Sequence, residues 1–125
     1  MQDLVIGCDI EEIMRFSTDL DKNQLFLDRV FTPHELKYCF SYVDPARHLA
    51  ARFCAKESVI KAFSSMGIHP ISYKSVEICK GAAGAPYVRL NPDSPDFFDF
   101  NKYDISISLS HSATVAMAVA VVRKI

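Results

Sequence analysis

Asp44-Pro45-Ala46-Arg47-His48-Leu49-Ala50-Ala51-Arg52-Phe53-Cys54-Ala55-Lys56-Glu57-Ser58-Val59-Ile60-Lys61-Ala62-Phe63-Ser64-Ser65 runs without glycine and holds one β-branched pair. Asp44-Pro45 has the form of a helix start, and Gly67 and Pro70 supply the stop. The stretch predicts one long helix over 45–65. At 100° per residue, Leu49, Phe53, Val59, Ile60 and Phe63 define an apolar arc. Arg52 and Lys56, four residues apart, fall inside that arc, while Glu57 and Lys61 lie at its edge. Glu57 and Lys61 alone read as a favourable surface pair, worth about 0.2–0.5 kcal/mol. Arg52 and Lys56 are harder to explain. Charges on an inner helix face are costly unless paired, extended to water, or turned to a wet pocket or subunit interface. A polyanionic ligand satisfies them.

Elements on either side of this helix set the fold class. Leu4 to Cys8 reads as a buried strand ending at Asp9, with helical spacing in Ile10, Ile13, Met14 and Phe16. Gln24 to Phe31 reads as a second helix. Thr32-Pro33-His34-Glu35 has the form of a capping box with proline at the first helical position. Ser75 to Lys80 and Pro86 to Leu90 read as strands joined by Gly81-Ala82-Ala83-Gly84. Asn91 to Tyr103 is rich in Pro and Asp, with Phe97, Phe98 and Phe100 as anchors. Asp104 to Ser110 alternates Ile105, Ile107 and Leu109 with Ser106, Ser108 and Ser110, the mark of a half-buried strand. His111-Ser112-Ala113 is a turn, and Thr114 to Val122 is a strand of small apolar residues. This order predicts an α+β fold with a largely antiparallel sheet packed on a long helix.

Composition narrows the function. A chain of 125 residues predicts a single domain over 1–125. It buries only roughly two-thirds of its unfolded surface, so a deep private cleft is hard to build and a partner subunit is expected to supply a wall. Net charge is −1, which argues against a general nucleic-acid binder. The charge is uneven, however: Arg47, Arg52, Lys56 and Lys61 face Glu57 alone between 45 and 61. A local basic helix in a neutral protein suits a small polyanion. Cys8, Cys39, Cys54 and Cys79 form no CxxC pair, so four reduced, mostly buried thiols in a cytoplasmic protein are expected. The sequence shows no secretory signal and no apolar run long enough for a membrane span.

Two further places can carry chemistry. Asp9, at the expected end of the first strand, reads as a helix N-cap or as a metal ligand. Ser108-Leu109-Ser110-His111-Ser112 offers hydroxyls, backbone N–H groups and an imidazole to a phosphate, or a plain solvent-facing strand and turn.

Gly7-Cys8-Asp9, the segment Arg52 to Lys61, and Ser106-Ile107-Ser108-Leu109-Ser110-His111, in that order, resemble the 4′-phosphopantetheinyl transferases. Thr32 to Glu35 and Gly84-Ala85-Pro86-Tyr87 also sit where that family has a helix start and a strand entry. The length and single copy look like its holo-acyl-carrier-protein synthase group. The resemblance implies an enzyme that moves the phosphopantetheine arm of coenzyme A to a serine of an apo acyl carrier protein, releasing adenosine 3′,5′-bisphosphate. It implies Mg2+ as cofactor, and a homotrimer with sites between subunits. It places Asp9 and Glu57 as metal ligands and catalytic groups, and Lys61 on the phosphates and the leaving oxygen. Arg52, Lys61, Ser110, His111 and Ser112 become coenzyme A contacts. Glu57, acting directly or through a metal-bound water, is the preferred base for the carrier serine. Lys56 reads equally as a structural pair, a subunit contact or a catalytic group.

The first helical region is the family's docking surface for the acidic carrier, here Arg15, Lys22, Phe26 and Arg29. Leu25 stands at a commonly basic position, and Asp19, Asp21 and Asp28 lower the local charge. Docking with more apolar contact from Leu25 and Phe26 is expected. The loop Phe63-Ser64-Ser65-Met66-Gly67-Ile68 departs from the family's Gly-rich form, with one Gly. The alternatives in other classes are a non-catalytic coenzyme A or nucleotide-binding module and a purely structural assembly domain.

Overall fold

The helix expected over 45–65 is α3, Pro45–Ser65, in a computed structural model that describes residues 3–17, 20–94, 96 and 99–125. The side chains of residues 20–22 lie outside that description. Pro45 opens α3, while the Asp44 side chain makes no cap bond. The helix closes in a Schellman turn: Gly67 N–H donates to Ser64 O, Ile68 N–H donates to Phe63 O, and Gly67 has φ +84°.

Before α3 come β1 (Leu4–Glu12), a 3-10 turn (Ile13–Phe16), α1 (Leu20–Val30) and α2 (Pro33–Phe40). After it come a 3-10 turn (Tyr73–Ser75), β2 (Val76–Lys80), β3 (Pro86–Leu90), a third 3-10 turn (Phe100–Lys102), β4 (Tyr103–His111) and β5 (Val115–Lys124). The strands form two antiparallel sheets, one ordered β1-β5-β4 and one of β2 with β3. The α+β expectation holds, with the strands divided between two sheets.

Period-2 alternation explains the larger sheet. Val5, Gly7, Asp9 and Glu11 pair with Val122, Ala120, Ala118 and Ala116, and this row faces α3. The alanines of β5 are fully buried, which lets the helix approach. The opposite row of β1 carries Leu4, Ile6 and Ile10, each more than half exposed, beside Met117 of β5. The core lies between α3 and the inner row, with Phe31, Leu49, Val59 and Phe63 fully buried. Phe63 stacks on Phe100. Phe97 and Phe98, the other expected anchors, lie outside the described residues.

Two expectations need correction. The first strand does not end at Asp9 and no helix starts at Ile10: Ile10, Glu11 and Glu12 continue the ladder with Met117, Ala116 and Val115. The partner strand overrides the local helical spacing, and the N-cap reading of Asp9 falls with it. The first strand is also not buried on both sides, because no element among the described residues covers its outer row.

The capping box at Thr32 is present, with Glu35 N–H donating to Thr32 Oγ1 and Thr32 N–H to Glu35 Oε1. Glu35 is nonetheless fully buried. Its Oε1 lies 2.7 Å from Lys56 Nζ and its Oε2 accepts from Ile78 N–H. Lys56, also fully buried, donates to the carbonyls of Tyr73 and Val76. The charge on the apolar arc is therefore a structural pair. Burial holds Glu35 above the usual carboxylate range and Lys56 below the usual amine range, and each partner opposes the other's shift. Next to it, Thr32 Oγ1 donates to Glu77, and Glu77 pairs with Arg89.

Candidate active site

Gly7 brings α3 onto β1. A Cβ at Gly7 would stand 2.0 Å from Ser58 O and 2.8 Å from Ala62 N. Only hydrogen fits there. Asp9 lies two residues on, and so on the same face of the strand. The close approach at Gly7 places Asp9 under the last turns of the helix.

Lys61 Nζ meets Asp9 Oδ1 at 3.2 Å and donates to Cys8 O at 3.1 Å. The expected surface partner of Lys61 was Glu57; the structure turns its ammonium to β1. The hydrogen bond to Asp9, with the charges of Asp9 and Glu57, holds the Lys61 amine above its ordinary range against partial burial. Lys61 is thus a cation at neutral pH, a donor rather than a base. Glu57 is half-buried one turn earlier, and its Oε1 accepts from Tyr73 Oη at 2.5 Å. Burial first, then this hydrogen bond, pushes the Tyr73 phenol up to about 12, so it stays a donor. Beneath Asp9, burial and the nearby carboxylates push the Cys54 thiol up to about 12. Cys54 is therefore an inert thiol here.

Asp9 Oδ2 is buried and has no hydrogen-bond partner among the described residues. An orphaned carboxylate oxygen in a site with a second carboxylate fits a hard dication. Among the described residues no group of three or more His, Cys, Asp or Glu stands together. Mg2+ does not require one, because substrate phosphates and water complete its shell.

The other expected site residues do not form one group. Arg52 is buried, with its guanidinium 3.8 Å over the Tyr38 ring and its Nε without a partner among the described residues. It lines a cavity of about 390 Å3 with Lys80, Gly84, Ala85, Pro86 and Ser108. His48 stacks on Tyr42 at 3.7 Å. Burial, then Arg52 and Arg47, with His111 adding, lower the pKa of His48. His111 ends β4 on the row that faces α3, and Ser110 lies on the opposite, outer row. Ser112 Oγ accepts from Thr114 N–H and Val115 N–H, so it also shapes its own turn.

Ser110, His111 and Ser112 line another cavity, of about 240 Å3, with Ile10, Val115 and Met117. Arg52 points about 140° around the helix from Glu57. β4 is about 10 Å from β1, with β5 between them.

On the expected docking surface, Arg15 pairs with Glu11 at 2.9 Å and lies over Phe16, Phe26 and Phe53. Phe26 is half-buried against Phe16 and Phe53, Arg29 is exposed, and Leu25 is 73% exposed. The side chains of Lys22 and Asp21, and Asp19 as a whole, lie outside the described residues.

Reading the sequence alone missed Tyr73, Gly7's contact with α3, and the Glu35 partner of Lys56. Lys56 on an apolar arc was a signal that a buried anion must exist. Nothing in the local sequence marks Tyr73.

The 4′-phosphopantetheinyl transferase superfamily model matches residues 5–120. The chain belongs to this superfamily. The holo-[acyl-carrier-protein] synthase of Protochlamydia amoebophila is 45% identical over 117 residues, covering 93% of this chain and 96% of that protein. The Helicobacter pylori holo-[acyl-carrier-protein] synthase, solved in complex with coenzyme A, superposes with a TM-score of 0.75 at 34% identity. It covers 94% of this chain and 98% of its own. An acyl carrier protein synthase structure from Chronobacterium ammoniagenes gives a TM-score of 0.81 at 22% identity, with 99% of both chains covered, and shows the shared fold. The expectation of a phosphopantetheinyl transferase, and hence of an enzyme, is borne out. No helix among the described residues is long and apolar enough to cross a membrane.

Proposed function

We propose that this transferase, with residues 1–125 as its one domain, makes holo acyl carrier protein: the phosphopantetheine arm of coenzyme A passes to a serine of the apo carrier. The serine oxygen forms a bond to the β-phosphorus of coenzyme A. The bond from that phosphorus to the bridging pyrophosphate oxygen breaks, and adenosine 3′,5′-bisphosphate leaves. One observation carries the reading. Lys61 is held on Asp9 at 3.2 Å, beside a buried oxygen of Asp9 with no hydrogen-bond partner among the described residues.

Each residue has a task in that reaction. Lys61, charged and aimed by Asp9, binds the pyrophosphate and gives its charge or a proton to the leaving oxygen. Glu57 takes the proton of the carrier serine. Asp9 and Glu57 would hold Mg2+, which neutralises phosphate charge when bound. Arg52, with Ser110, His111 and Ser112, holds other phosphates, including the 3′-phosphate. Arg15, Lys22, Phe26 and Arg29 receive the acidic carrier, with Leu25 as an apolar contact.

The enzyme works as a homotrimer with its sites between subunits. The placing of Arg52 about 140° around α3 from Glu57 supports this, because one coenzyme A then touches Arg52 of one copy and Lys61 of the next. The uncovered outer row of β1 and β5 supplies an apolar face for assembly.

The test is mass spectrometry of apo carriers incubated with the protein, coenzyme A and Mg2+. The expected result is a mass gain of one phosphopantetheine arm on the carrier, absent with Asp9→Ala or Glu57→Ala. Coenzyme A binding without any mass gain on a range of carriers would instead mark a binding module.

A further inference from the structure

Tyr73 is gripped from both ends by two adjacent residues of α3. Lys56 Nζ donates to its backbone carbonyl at 2.8 Å. Its hydroxyl, at the other end, donates to Glu57 Oε1 at 2.5 Å. Between them its ring packs on Phe53, with centroids 5.6 Å apart. Phe53 is one turn before Glu57 on the same helix. The turn that carries Tyr73 is fixed as well, because Ser72 N–H donates to Asp96 Oδ2 and Ser75 N–H to Ser72 O. Lys56 has no freedom to give, since its three protons go to Glu35, Tyr73 and Val76.

A glutamate on a helix surface samples several rotamers, and its carboxylate plane is loosely set. Here one oxygen is pinned by a phenol whose own position is fixed by the core. The plane of the carboxylate is then fixed, and Oε2 remains for another ligand. We propose that Tyr73 is a positioning residue that aims the Glu57 carboxylate at the divalent cation shared with Asp9. Lys56 acts one step further back, by holding the backbone of Tyr73. The inference rests on the metal-dependent reading above. It adds a residue from outside the long helix and the two outer motifs, and explains why a buried lysine stands next to the site glutamate.

Tyr73→Phe removes the hydroxyl and keeps the ring on Phe53, so the fold should be retained, which a thermal melt checks. The probe is Mn2+, titrated into protein with coenzyme A but no carrier, so that no turnover occurs. Free Mn2+ is read by electron paramagnetic resonance against coenzyme A alone. Groups that orient metal ligands typically change affinity by 10- to 100-fold. Tyr73→Phe should therefore weaken Mn2+ binding about tenfold, and Asp9→Asn should abolish uptake by the protein. In turnover, Tyr73→Phe should raise the Mg2+ concentration for half-maximal rate by a similar factor, with kcat recovering at high Mg2+ and carrier KM unchanged. A purely structural role would lower the melting temperature and leave Mn2+ affinity alone. Mn2+ affinity within twofold of the unaltered protein, with Asp9→Asn still defective, overturns the role of Tyr73 and leaves the metal reading standing. If the unaltered protein takes up no Mn2+, the metal reading is overturned and this inference with it.

Discussion

Gly7 and Asp9 share the inner face of β1, and the distance of α3 from that face sets what Asp9 can reach. With hydrogen at position 7, the helix backbone lies directly on the strand, and Lys61 comes within 3.2 Å of Asp9. A methyl group there would meet a backbone carbonyl, not a flexible side chain, so nothing nearby can turn aside. Ordinary overpacking costs about 1–3 kcal/mol. Gly7→Ala should cost more than that, a large part of the roughly 5–15 kcal/mol that holds a domain together. Urea denaturation checks it, and a midpoint equal to that of the unaltered chain would sink the close-packing argument. The spacing Gly-x-Asp shows in the sequence that both residues share a strand face. It does not show which element lies on that face, because close approach depends on Ala62 and Ser58 from a helix some fifty residues away.

Elements were legible where one chain segment carries its own signals. Proline at the start and Gly67 at the stop bound α3, and its apolar arc assigned Arg52 and Lys56 to the inside. Thr32 and Glu35 bound α2 in the same way. Legibility ended where a second segment decides. Residues 10–12 carry helical spacing but extend β1 because β5 is there to pair with them. Glu35 reads as a surface cap because a capping box is satisfied within four residues, while its second oxygen and its ion pair belong to β2 and α3. That pair ties α2, α3 and β2 together, and its energetics are asymmetric. Removing one partner of a buried pair leaves an uncompensated charge and typically costs about 3–5 kcal/mol. Glu35→Ala or Lys56→Met alone should each be destabilising on that scale. The double change Glu35→Leu with Lys56→Met removes both charges and should recover much of the loss, as thermal melting of the single and double variants would show. A double variant as unstable as the sum of the singles would mean that the backbone bonds of Lys56, not the ion pair, carry the stability.

Three properties of the whole molecule converge on assembly. The chain is short, its outer sheet face is apolar and open, and the proposed phosphate contacts stand apart, with Arg52 about 140° around α3 from Glu57 and Ser110 on the outer row of β4. Ile6 is 68% and Ile10 66% exposed on the edge strand β1, with Met117 of the central strand β5 opposite Ile10. Burying such a face against copies of itself contributes about 25 cal/mol per Å2 of apolar area, which is the driving force available for the proposed trimer. A charge on that face should therefore act at a distance. Ile6→Glu leaves Asp9, Glu57, Lys61 and Arg52 in place, and its side chain points away from α3. It should nevertheless yield monomers by analytical ultracentrifugation and weaken coenzyme A binding at least tenfold by calorimetry, because each site loses the wall supplied by the neighbouring copy. Activity per chain of the unaltered enzyme should likewise rise with protein concentration where trimer and monomer coexist. A monomeric Ile6→Glu protein that binds coenzyme A as tightly as the unaltered chain would refute the shared site.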